Sequence, residues 1–330
     1  SGPWTETTIA PFWSVTKGLS AICALAALQD SNHHLEEPVI TLWPEFGRGG
    51  KKMVTFEQVL SHQAGIPAID GEHSIFDYEG VICAIEAQAP HWFPGTKHGY
   101  HSRIFGFLLD EIVRRSSGAD SLGEFWRRRF AEPLDLDLWI GLPEEHHDRV
   151  ASLSPGMLRD MGEESAFYQA FANEESLSRR AFSTPGGMTA LTGMGDPAAL
   201  TAGFPALGGV GSARALGKFY ALLAERDSHF PDRVLNHAAA TLTDGDDAVL
   251  HLPTAFAAGM MKDPLDPETG EKRRTIFGPS TDAFGHPGAG GSLGFADPEN
   301  HLAFAYVMNH LSYGVLPNAK AREMVSALYS

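Results

Sequence analysis

Apolar positions recur at helical spacing through the first two thirds of the chain and give way to strand pieces in the last third. The first helical pattern covers residues 17–30, where Leu19, Ile22, Cys23, Leu25, Ala26 and Leu28 make the helix apolar enough to be buried. Thr55 can cap a short helix reaching Ser61, and Gly65-Ile66-Pro67 supplies its stop. Residues 78–88 and 102–115 follow. In the second of these, Phe105, Leu108, Leu109, Ile112 and Val113 form one stripe, with Asp110, Glu111, Arg114 and Arg115 mostly outside it. Residues 120–130 and 213–226 read as further amphipathic helices. Residues 142–211, rich in Gly, Pro, Ser and Met, show poor periodicity. So long an irregular run is uncommon in a compact domain unless it forms a lid or binding loop. Met157, Met161, Met188 and Met194 either line a pliable acyl pocket or belong to a surface excursion packed on itself. In the last third, residues 255–261 and 284–285 look like strands, and 292–296 with 301–308 form a hairpin around Asp297-Pro298-Glu299-Asn300. Residues 318–329 read as a closing helix.

This order predicts an α/β (α+β) protein. Residues 1–17 and 245–330 carry an antiparallel sheet, and residues 18–244 form a mainly helical region containing the irregular, lid-like segment 142–211. A chain of 330 residues, 43% hydrophobic, can bury a large core. Its net charge of −16 argues against a nucleic-acid surface, and Arg127-Arg128-Arg129 and Lys272-Arg273-Arg274 read as solvated faces. Cys23 and Cys83 sit in apolar patterns and read as small buried hydrophobes, with neither a disulfide framework nor zinc spacing. His33-His34 and His146-His147 lack chelating spacing and read as solvated loop residues, so no metal or other cofactor is expected. No apolar run approaches the ~18 residues of a membrane span, and a soluble cytoplasmic protein is the default. A start at Ser1-Gly2 rather than Met leaves a removed leader open.

Candidate chemistry begins at Ser14-Val15-Thr16-Lys17. Serine is a poor nucleophile until a proton acceptor stands beside it. Residues three apart on a helix share a face, so the Lys17 amine reaches the Ser14 hydroxyl, and burial disfavours its charged form. On its own this tetrad decides little, since chance supplies on the order of one S-x-x-K in a chain this long. Tyr100-His101-Ser102, at a loop-to-helix junction, offers a phenol whose pKa a lysine cation would lower. His286-Pro287-Gly288-Ala289-Gly290-Gly291 enters the hairpin with glycines that permit close approach of a ligand.

The order S-x-x-K, Y-x-S, H-x-G resembles the serine β-lactamase and penicillin-binding-protein superfamily. Local context is most similar to the family VIII carboxylesterases, through Ser14 to Gly18, Leu60-Ser61-His62-Gln63-Ala64-Gly65-Ile66-Pro67, Pro94 to Ser102, and Phe284-Gly285-His286 through Asp297-Pro298. The resemblance spans nearly the whole chain and implies a β-lactamase/transpeptidase-like fold. It implies Ser14 as the acylated nucleophile, Lys17 as its partner and Tyr100 as the base that also protonates the leaving alcohol. The oxyanion hole would come from the backbone N–H groups of Ser14 and Ala289, and Ser102, His286, Gly288 and Gly290 would bind substrate.

Three departures shape the expectation. Ser102 replaces an asparagine that holds the substrate amide in β-lactamases and peptidases, and His286-Pro287-Gly288 replaces Lys-Thr-Gly. Both favour neutral, short-chain esters as small-molecule substrates. The family also carries an N-terminal helix and two sheet strands ahead of S-x-x-K, where this chain has Ser1 to Trp13. A sheet without them would expose an edge that invites another chain, which leaves room for a homo-oligomer. The alternatives are acyl transfer at the same centre, β-lactamase or D-peptidase activity, and a non-catalytic scaffold.

Overall fold

In the computed structural model, which describes residues 3–156, 162–188 and 190–330, the helix Thr16–Asp30 runs through the main core with every residue from Thr16 to Leu28 buried. It has no polar stripe to turn toward water, and Gly18, Ala21, Ala24 and Ala27 let neighbouring elements come close. Helix Ile104–Ser117 packs along it most extensively, and Asp232–Ala239 and Leu122–Trp126 complete the surround. Thr55 caps Phe56–Leu60 through a reciprocal bond with Gln58, as its position predicts.

The last third of the chain builds a six-stranded sheet in the spatial order Leu302–Tyr306, Leu293–Asp297, Phe284–Pro287, Met261–Lys262, Pro253–Phe256, Thr243–Asp246. Every neighbouring pair is antiparallel, which meets the expectation from the hairpin pattern. Helix Ala213–Ala224 lies on the first two of these strands. Its Tyr220 fills the notch between sheet and core helix. A Cβ at Gly294 would stand 2.3 Å from the Tyr220 ring, and one at Gly18 would stand 2.5 Å from its hydroxyl. A second, three-stranded antiparallel sheet sets Gly209–Gly211 between Ala10–Pro11 and Leu138–Ile140. Among the described residues no helix is long and apolar enough to cross a membrane.

Several local expectations change. The irregular segment holds short helices, Ser165–Phe171, Leu177–Ser183 and Pro197–Ala202. Met194 is buried in the main core, whereas Met188 borders the cavity described below; Met157 and Met161 lie outside the described residues. Cys83 is exposed because its helix turns that face to solvent; only Cys23 is a buried thiol. Strand Thr243–Asp246 and helix Asp232–Ala239 were not expected, the first because Thr-Asp-Gly-Asp carries no apolar alternation. Lys272 is not on a solvated face. Its amine lies 2.9 Å from Asp263, with side-chain exposures of 6% and 0%, and Asp263 also accepts the N–H groups of Ile276 and Phe277 at 2.8 and 3.1 Å.

Stranding one member of a buried pair costs about 3–5 kcal/mol. Lys272→Met is therefore expected to lower the urea midpoint of unfolding sharply, while Lys320→Met, at an exposed position, leaves it in place. Equal midpoints for the two variants would refute the importance of the pair.

Candidate active site

Strand Ala10–Pro11 turns into the core helix through Trp13, whose φ of 50° lies in the left-handed region. The Trp13 carbonyl accepts the N–H of Thr16 at 2.9 Å and also the Thr16 hydroxyl. Thr16 Oγ1 accepts in turn from the N–H of Gly209 at 2.8 Å. Phe12 N–H donates to the Gly209 carbonyl at 3.0 Å. The middle strand of the small sheet thus clamps the turn, and only glycine fits at 209, where a Cβ would sit 2.3 Å from the Phe12 ring. Ser14 is left just ahead of the first helical residue, at the positive end of the helix dipole.

Lys17 is completely buried. Its Nζ lies 3.3 Å from Ser14 Oγ and donates to the carbonyls of Ser102 at 2.8 Å and Ala206 at 2.9 Å. Among the described residues no carboxylate pairs with it, and burial holds its pKa well below the usual lysine range. A neutral amine has two N–H groups and one lone pair. In that form, with both N–H groups on the carbonyls, the lone pair would face Ser14.

Tyr100 packs beside this amine, with Nζ 4.8 Å from its ring centroid, on the same side as Ser14. The expected lowering of the phenol pKa does not occur. Burial pushes it up, Asp247 pushes it further, and the neighbouring Ser14 hydroxyl offsets only part of this. Burial also disfavours the charged form of the lysine that was to stabilise the phenolate.

Sequence reading missed Asp247, which lies in an acidic run that resembles a solvated turn. It is 2% exposed. Its carboxylate accepts the Tyr100 N–H at 3.1 Å to both oxygens, the N–H groups of Val249 and Leu250 at 2.8 Å, and the Thr254 hydroxyl at 3.1 Å. Thr254 continues to His98 Nε2 at 2.8 Å, and His98 Nδ1 lies 2.9 Å from the Thr243 hydroxyl. Asp247 thereby pins the backbone of Tyr100 to the edge of the main sheet. On the other side, His62 Nδ1 accepts the His101 N–H at 3.2 Å, and the His62 ring lies 5.1 Å from that of Tyr100. His62, His101 and His286 are all buried, and burial pushes their pKa values down, to about 3 for His101 and His286.

The remaining predicted residues divide into two groups. Ser14, Ser102 and Ala289 share the wall of a cavity of about 390 Å³, together with Trp13, Met188 and Leu207. Among the described residues, neither the Ser14 N–H nor the Ala289 N–H donates to a protein acceptor. His286 stands behind Tyr100, with ring centroids 5.9 Å apart, and its Nδ1 lies 2.6 Å from the Pro287 carbonyl. It is 1% exposed and does not border the cavity. Gly288 presses on the nucleophile turn, where a Cβ would lie 2.2 Å from the Phe12 carbonyl. The Gly290 carbonyl accepts the Ser312 N–H at 2.8 Å. These two glycines seat the Ala289 turn and are not among the residues bordering the cavity.

Such a fold, with a serine and a buried lysine at the head of a core helix, defines a serine hydrolase of the β-lactamase type. The chain belongs to the Beta-lactamase family, whose model matches residues 1–329. It is 31% identical over 322 residues to the esterase/beta-lactamase LipL of Mycobacterium tuberculosis (strain ATCC 25618 / H37Rv), covering 94% of this chain and 71% of that protein. A family VIII carboxylesterase superposes with a TM-score of 0.83 at 29% identity, covering 100% of this chain and 85% of that one. A penicillin-binding-protein homologue from Caulobacter crescentus gives 0.82 at 30% identity, covering 99% and 84%.

Asp247→Ala strands three buried N–H groups and a hydroxyl and frees the Tyr100 loop. Turnover is expected to fall by about 10²-fold at unchanged far-UV circular dichroism; full turnover would show that Tyr100 is held by other contacts. The histidines generate a second expectation. Between the unfolded value of 6.5 and the folded value of about 3, His101 and His286 bind protons only in the unfolded chain. Stability is therefore lost as pH falls through that window. The urea midpoint at pH 5 should lie below that at pH 7, and a flat profile would contradict the buried, neutral imidazoles.

Proposed function

We propose that the chain is a serine carboxylesterase that cleaves short-chain carboxylic esters through an acyl-enzyme on Ser14. The observation that carries this reading is the environment of Lys17: fully buried, without a carboxylate partner among the described residues, two carbonyl acceptors, and Ser14 Oγ at 3.3 Å. In the proposed sequence the Lys17 lone pair takes the Ser14 proton as Oγ bonds to the ester carbonyl carbon. The oxyanion lies against the N–H groups of Ser14 and Ala289, neither of which has a protein acceptor among the described residues. The new ammonium lowers the cost of ionising Tyr100, whose hydroxyl gives its proton to the departing alkoxide and recovers one from Lys17. Deacylation runs the same transfers in reverse. Water loses a proton to the Lys17–Tyr100 pair, its oxygen bonds to the acyl carbon, and Ser14 leaves protonated.

The cavity wall supports short acyl chains: Trp13, Phe167, Phe182, Met188 and Leu207 are apolar. His286, which stands where related enzymes carry a lysine, is buried and neutral. The strand therefore offers no cation, and neutral esters are accepted. The name of the relative LipL favours β-lactam hydrolysis as a second reading.

Ser14→Ala is expected to abolish hydrolysis of p-nitrophenyl butyrate, and a fluorophosphonate probe should add one adduct, mapping to the peptide that contains Ser14. Wild-type turnover in the alanine variant would overturn the assignment. A nitrocefin assay on the same sample decides the second reading.

A further inference from the structure

The cavity that holds Ser14 has a charge character opposite to that of the whole molecule. The chain carries 41 acidic residues against 25 basic ones. Yet the described residues bordering the cavity include two arginines, Arg103 and Arg179, and no Asp or Glu. Arg103 follows Ser102 directly, is 9% exposed, and donates to the carbonyls of Pro185 and Met188. Two of its five N–H groups account for those bonds. Arg179 stands on helix Leu177–Ser183, with its guanidinium carbon 4.7 Å from the centroid of the Phe171 ring.

Neither arginine has a carboxylate partner among the described residues, although the neighbouring Arg180 does, in Asp70 at 2.5 Å. Glu174 and Glu175, on the loop ahead of that helix, are exposed and form no ion pair with Arg179. Glu164, whose carboxylate stands near Gly314 on the cavity wall, spends it on the N–H groups of Val315 and Leu316 at 2.6 and 2.8 Å. The two guanidiniums repel each other. Burial and then Arg179 lower the Arg103 pKa to about 10. Like charges kept close in partly apolar surroundings are destabilising, and an anion placed between them removes the repulsion. A guanidinium presents a planar fork that matches a carboxylate, and a ring beneath it holds that plane in place.

We propose that Arg179, backed by Arg103, forms a carboxylate subsite, so that the preferred substrates are esters whose acyl chain ends in a free carboxylate, the monoesters of short dicarboxylic acids. This rests on the esterase reading and narrows it. Neutral esters remain substrates, but they leave the cation pair unpartnered. The sequence expectation of neutral substrates came from Ser102 and the His286 strand; these cations come from other positions, on a loop-to-helix junction and a short helix of the irregular segment.

The test compares p-nitrophenyl butyrate with mono-p-nitrophenyl glutarate in the full chain. The kcat/KM of the glutarate ester is expected to exceed that of the butyrate by at least about tenfold, with its KM rising as NaCl is added. In Arg179→Gln the glutarate-to-butyrate ratio should collapse by about tenfold, whatever happens to the absolute rates, and Arg179→Lys should restore part of it. Equal kcat/KM for the two esters in the parent, or an unchanged ratio in Arg179→Gln, would overturn the subsite while leaving the esterase intact. Failure to cleave either ester, with Ser14 unlabelled by fluorophosphonate, would overturn the esterase reading and the subsite with it.

Discussion

A buried amine with no counter-ion among the described residues is the constraint around which the structure is arranged. Lys17 can remain inside only if its N–H groups find acceptors, and the two it uses come from distant parts of the chain, Ser102 and Ala206. That requirement brings the loop after Gly99 and the turn before Gly209 onto one point of the core helix. The packing then makes the convergence rigid. The Ser20 hydroxyl donates to the Pro205 carbonyl at 2.6 Å, and Gly106 leaves no space for a Cβ, which would lie 2.6 Å from the Ala206 nitrogen. Displacing any of these three segments would strand a buried polar group, so the position of the amine and the tertiary fold are maintained by the same contacts.

Electrostatically, burial biases the centre against charge. Three buried imidazoles stand in and around the Tyr100 segment, and they, the buried phenol and the buried amine are each shifted by burial toward the uncharged form. The Asp247 carboxylate beside Tyr100 is satisfied by N–H groups and a hydroxyl rather than by a cation. Charge would arise here only as a proton moves, in surroundings where each fixed dipole counts for more than it does in water.

Much of this was legible in the sequence, and the rest was hidden for identifiable reasons. The spacing of Ser14 and Lys17, the apolar run behind them and the hairpin around Asp297 carry local signals, and helix and strands fall close to where those signals place them. Tyr100 was singled out from its junction with a helix, and the structure sets it beside Lys17. Asp247 and the Lys272–Asp263 pair were illegible because burial of a charge depends on what folds over it, and their neighbours in sequence are polar. His286 was misplaced for a related reason: the motif locates a strand, but which face a histidine presents is decided by packing against Tyr100. Thr243–Asp246 became a strand because the ladder with Pro253–Phe256 supplies what its own side chains do not.

The irregular segment has a consequence for how such a protein changes over generations. The Ser14–Lys17–Tyr100 cluster rests on a core helix and a main-sheet anchor, whereas much of the cavity wall, from Phe167 and Arg179 to Met188 and Leu207, is contributed by short helices and turns between residues 142 and 211. Of that segment, Ala206, which does not border the cavity, supplies a carbonyl that the amine uses. Drift in the wall can therefore retune which molecules are admitted while the proton-handling parts stay under separate, stricter selection. Two chains with the same core helix could come to serve different metabolic niches through a handful of loop substitutions.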